Sequence, residues 1–179
     1  MMMQMLKDGG MDLLTDSIRM ADENNPRGYL EYEKAKKMMT DVSWLDDANG
    51  KAIKIIAPLL SYLPPKYDYR IIFMEREMSE VLRSQQIMLG RRSEIQKNAF
   101  PIVLDQAFKK QLEQARSWME RSPNVTVLYV QYADVVSEPQ ETAESIAEFL
   151  GEELNIQQMA AAVDASLYHN KYAPSTGIN

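Results

Sequence analysis

Tyr69-Arg70-Ile71-Ile72-Phe73-Met74-Glu75-Arg76-Glu77 is the stretch on which the reading of this chain turns. Its first six residues are rich in β-branched and aromatic side chains and predict a strand. Beyond it, Met78, Val81, Leu82 and Leu89 keep helical spacing, with Gln85 as a break, so the strand feeds a helix. Downstream, Leu104, Phe108, Leu112, Ala115 and Met119 form one stripe of a longer helix over about 104–120. Ser122-Pro123-Asn124 then turns the chain into another strand, Val125 to Gln131. Upstream, Ala52-Ile53-Lys54-Ile55-Ile56-Ala57 is a short β-branched run that predicts a buried strand, punctuated afterwards by Pro58 and Pro64-Pro65. Strands alternating with helices imply an α/β domain with a mostly parallel sheet.

The flanks complete the outline. Residues 1–7 read as helix stopped by Gly9-Gly10, residues 22–28 as an exposed loop, and Lys34 to Thr40 as helix. Ser137-Glu138-Pro139-Gln140 has the form of a capping box with proline in the first turn, and Gly151 follows Phe149-Leu150 as a stop. There is no internal repeat and no low-complexity linker. A single domain over 1–179 is expected, with an irregular tail from about residue 165.

Composition narrows the function. The chain has 179 residues, 45% hydrophobic and 26% charged, which is ordinary globular composition. A formal net charge of −6 argues against a general nucleic-acid or anionic-membrane surface, so an anionic ligand needs a local basic cluster. No apolar run approaches the roughly 20 residues of a membrane span. With no cysteine, thiolate catalysis, disulfides and Cys-ligated metals are excluded together. The single histidine, His169, gives a histidine metal cage or a Ser-His-Asp triad little to work with. A cytoplasmic location is the expectation these features permit.

One region runs against the overall charge. Arg70, Arg76, Arg83, Arg91 and Arg92 outnumber Glu75, Glu77 and Glu80, a local +2. Arg76 stands at the strand-to-helix junction, where open parallel sheets bind ligands, and Ser84 follows eight residues on. A guanidinium offers fork geometry to a phosphate and a hydroxyl adds a donor. The same residues also suit a solvated helix with Arg–Glu pairs at i,i+3 or i,i+4, and both readings stand on local chemistry alone.

In order and spacing, these pieces resemble the sulfotransferases that use 3′-phosphoadenosine-5′-phosphosulfate, and most of all the bacterial proteins of that family. A strand, Arg76, seven residues and Ser84 match the family's 3′-phosphate site, with Glu80 at its acidic position four residues after the arginine. Lys54-Ile55-Ile56-Ala57-Pro58 and Leu63-Pro64-Pro65 match the elements before it. Val127 to Asp134, Pro139 and Ile146-Ala147-Glu148-Phe149-Leu150-Gly151 match those after it. The likeness covers roughly residues 1–170.

The resemblance implies a P-loop-NTPase-like fold, a three-layer parallel sheet with flanking helices. It implies transfer of a sulfuryl group from the phosphosulfate donor to the hydroxyl of a small-molecule or carbohydrate acceptor, with no metal. Arg76 and Ser84 would hold the 3′-phosphate, Tyr132 would lie near the adenine, and Lys54 would stabilise charge on the sulfuryl group and its leaving oxygen. An unpaired lysine in an apolar strand is also costly, which favours a functional Lys54.

Two departures qualify the match. Ile56 stands where cytosolic members carry a catalytic histidine, so a base must come from elsewhere. Asn25-Pro26-Arg27-Gly28-Tyr29-Leu30-Glu31-Tyr32 resembles an acceptor-side element of bacterial members, which makes Glu31 the candidate base, with Tyr29 and Tyr32 candidates for the acceptor pocket. The family also opens with a strand and a loop like Gly-x-Pro-Arg-Ser-Gly-Thr-Ser. Here the methionine-rich start stands at the following helix, so the expectation is a chain lacking that loop and inactive as given. A non-catalytic remnant that binds a 3′-phosphoadenosine nucleotide or a protein partner is the alternative. A related phosphotransferase would need a Gly-Lys-Ser/Thr loop and an acidic Mg²⁺ site.

Overall fold

The computed structural model describes residues 1–22, 25, 27–77, 80–81 and 101–164, with the backbone alone for 101–105. Helix α1 (Met2–Asp8) ends at Gly9, and Gly10 follows at φ 98. Three 3₁₀ segments, Glu33–Lys37, Ser43–Ala48 and Ala57–Tyr62, lead to strand β1 (Tyr69–Glu75). Then come α2 (Pro101–Arg121), β2 (Val125–Gln131), α3 (Tyr132–Ser137), α4 (Pro139–Leu150) and α5 (Ile156–Ala161).

Strands β1 and β2 pair in parallel, with Tyr69 opposite Val125 and Glu75 opposite Gln131. The pleat sends alternate residues to opposite faces, and each face has its own core. Ile72, Met74, Leu128 and Val130 join Met5, Val135, Ile146 and Met159, the side of α1, α4 and α5. Tyr69, Ile71, Phe73, Val125 and Val127 join Trp44, Leu60, Ala115 and Met119, the side of the 3₁₀ segments and α2. The architecture is α/β, built on a parallel pair of strands covered on both faces.

Most of the expected elements form, with three differences. Residues 53–56 are extended but not a sheet strand. Ala52 bridges Leu13, its carbonyl accepting from Leu14 N–H at 2.9 Å, and the pairing goes no further. Ile53 and Ile55 pack into the second core, then Pro58, which has no N–H to donate, sits in the first turn of the 3₁₀ segment. The helix expected over 34–40 is the shorter 3₁₀ segment Glu33–Lys37. The capping box does not form either. Ser137 ends α3, and α4 starts at Pro139 without a side-chain cap. Gly151 does stop α4, at φ 63, where Arg70 donates to the Leu150 carbonyl and ties β1 to the helix end.

Candidate functional site

The two strands end side by side, and the residue after each carries the first cluster. Arg76 follows β1 and Tyr132 follows β2, and the guanidinium carbon stands 4.6 Å from the Tyr132 ring centre. Arg76 Nε donates to Glu80 at 2.8 Å. Glu80 is 4% exposed and Arg76 25%, so the pair is largely withdrawn from water. Burial pushes the Tyr132 phenol above its ordinary pKa. The charge of Arg76 opposes this and that of Glu80 adds to it. A buried carboxylate orients the arginine fork, and an aromatic ring lies beneath it. That combination has the chemistry to take a phosphate on the fork and a flat ring against the tyrosine. Ser84 and His169 lie outside the described residues.

A second cluster forms around Glu31. Its Oε1 accepts from Arg19 at 3.0 Å and from Lys54 Nζ at 3.1 Å. Lys36 Nζ stands 3.1 Å from Oε2 without hydrogen-bond geometry, so this buried oxygen has a charged neighbour but no hydrogen bond. The Glu31 side chain is 15% exposed. Burial alone would raise its pKa, but contacts from Lys54 and Lys36, with the charge of Arg19, hold the carboxyl below the ordinary glutamate value. Arg19 also lies over the Tyr29 ring at 3.3 Å, and Tyr29 donates to Asp22. Between Tyr29 and Glu31, Leu30 takes φ 48, a left-handed conformation that costs a non-glycine residue about 1–2 kcal/mol. That turn lets both neighbours meet the same arginine. Strain of this kind collects at functional sites.

Lys54 differs from its sequence reading. Its neighbours Ile53 and Ile55 face the core, which turns Lys54 (41% exposed) and Ile56 (58% exposed) outward. The ammonium is neither buried nor unpaired, since Glu31 neutralises it. Burial, then the charges of Lys54 and Arg27, lower the pKa of the Met1 amine. Arg27 itself donates to the Ala162 carbonyl at 2.5 Å.

The sequence matches the sulfotransferase family model over residues 13–155. The chain belongs to the sulfotransferase family. Searches of curated proteins and of solved structures return no significant match. In this sulfotransferase-family chain, two pairs of sequence-predicted residues come together, Arg76 with Tyr132 and Lys54 with Glu31. Tyr32 is placed elsewhere, edge-on to Trp44 in the second core. Sequence reasoning missed Arg19 and Lys36. The i,i+3 spacing of Glu33 and Lys36, 2.8 Å apart, was a readable signal. Arg19 reaches Glu31 across a loop with no periodicity, and nothing in the sequence marks it. Among the described residues, no group of His, Cys, Asp and Glu could hold a metal ion, and no helix is long and apolar enough to cross a membrane.

Proposed function

We propose that this protein serves sulfuryl transfer from 3′-phosphoadenosine-5′-phosphosulfate to an acceptor hydroxyl. The observation that carries the reading is Arg76 stacked with Tyr132 immediately beyond two parallel strands, the edge where ligands of such sheets bind. The 3′-phosphate lies against Arg76, with Ser84 as a further donor, and the adenine lies near Tyr132. The fold is then a larger parallel sheet layered between helices, of which β1 and β2 form part.

Lys54, turned outward beside Glu31, suits the phosphosulfate end of the donor. Lys54 stabilises the charge that develops on the leaving oxygen as the sulfur–oxygen bond breaks. Glu31 takes the proton of the acceptor hydroxyl. Its lowered pKa keeps it ionised at neutral pH but makes it a weak base, so its second role, holding Lys54 in place, has equal weight. The acceptor is a small molecule or carbohydrate.

The Glu31–Lys54 ion pair also favours a second reading, in which the chain binds the nucleotide without turning it over, since each candidate neutralises the other. Sulfuryl transfer by the unmutated chain separates the two, and Lys54→Met then tests the lysine's part in it. For a catalytic lysine, kcat for sulfuryl transfer falls far more than donor affinity. Equal losses in both, or none, would contradict catalysis by Lys54.

A further inference from the structure

The last rung of the β1–β2 ladder joins Glu75 to Gln131, and the next residue on each strand is Arg76 or Tyr132. Glu75 faces α2, on the side of the sheet opposite Met74 and Val130. One of its carboxylate oxygens takes the Arg116 guanidinium of α2, and the other accepts from Gln131 Nε2 at 2.5 Å. The Glu75 side chain is 18% exposed. Arg116 in turn sits 5.9 Å from the Tyr129 ring of β2. A single carboxylate therefore ties together the ends of β1, β2 and α2, with both oxygens in charge-assisted or polar contacts.

We propose that Glu75 is a positioning residue for nucleotide binding. Clamping both strand ends on the α2 face sets the separation and angle at which Arg76 and Tyr132 meet on the other. The proposal rests on the reading of Arg76 and Tyr132 as the 3′-phosphate end of the donor site. Glu75 does not touch the ligand in this account and acts through the backbone. A guanidinium recognises phosphate only when its fork is aligned, so a small splay of the strand ends acts on the 3′-phosphate contact first.

The test is the preference for adenosine 3′,5′-bisphosphate over adenosine 5′-phosphate, measured by calorimetry on the full chain. Glu75→Ala and Gln131→Met should each reduce that preference about tenfold, roughly the worth of one charge-assisted hydrogen bond. Gln131 is exposed, so its variant reports even where Glu75→Ala unfolds. Ile146→Val, a core change on the α4 side, should lower the melting temperature and leave the preference intact, which separates positioning from plain destabilisation. If Arg76→Ala abolishes the preference while Glu75→Ala and Gln131→Met keep it, the positioning role is overturned and the site survives. If Arg76→Ala keeps the preference, the site itself fails, and this inference with it.

Discussion

Replacing Glu31 by glutamine removes the carboxylate that Arg19, Lys36 and Lys54 share and leaves three cations around a neutral amide. A hydrogen bond to a charged group contributes about 1.5–3 kcal/mol where water is excluded. The three cationic side chains are 39–47% exposed, so solvent screens them, and each contact belongs nearer the roughly 0.2–1 kcal/mol of surface pairs. Together the three should cost about 1–2 kcal/mol, or about 2–8 °C in melting temperature for a chain of this length. Calorimetry at neutral pH and low salt reads the difference, and added salt should shrink it. The pH dependence supplies a second check. Because the folded-state pKa lies below the ordinary 4.5, the stabilisation is complete above that value and disappears as pH falls through the lowered one. Wild type and variant should converge in acid. A Glu31→Gln protein as stable as wild type at neutral pH, or a gap unchanged in acid, would refute the reading of Glu31 as an ionised hub.

Other expectations follow from single positions. Met159 of α5 is fully buried in the core shared with α1 and α4, so Met159→Ala should destabilise by about 2–5 kcal/mol in urea unfolding. Gly9→Ala would bring a Cβ to 2.4 Å from Met159 Cγ, so its melting temperature should fall by an amount that Met159→Ala partly relieves in the double variant. Gly151→Ala places a side chain at φ 63 and should lower stability by about 1–2 kcal/mol. Ser84→Ala should weaken adenosine 3′,5′-bisphosphate by about 0.5–1.5 kcal/mol in calorimetry, the usual worth of one hydrogen bond.

The two strands and the α2 helix were legible because their apolar patterns are strong and local. Tyr69 to Met74 and Val125 to Gln131 have high β-propensity between clear turns, and the Leu112, Ala115 and Met119 stripe packs as its spacing requires. The family was legible from the order of short motifs. The run 52–57 misled because β-branched residues predict extended backbone, not a partner for it, and its one bridge goes to Leu13. Lys54 was singled out as an unpaired lysine in a buried strand, and the folded chain instead leaves it exposed and paired with Glu31. Its neighbours Ile53 and Ile55 pack into the core, but alternation along the extended chain puts the lysine itself on the outer side. The Arg19–Tyr29–Glu31 and Arg116–Glu75–Gln131 contacts were invisible because each joins residues that only the folded backbone brings together.

The central claim is that Arg76 and Tyr132 receive the 3′-phosphoadenosine end of a sulfate donor. A crystal structure of the chain with adenosine 3′,5′-bisphosphate tests it most directly. The account predicts the 3′-phosphate oxygens within hydrogen-bonding distance, about 2.7–2.9 Å, of the Arg76 guanidinium. The adenine should lie against Tyr132, with Glu80 still holding Arg76 Nε. A nucleotide bound away from the ends of β1 and β2, or seated there with its 3′-phosphate turned from Arg76, would contradict it.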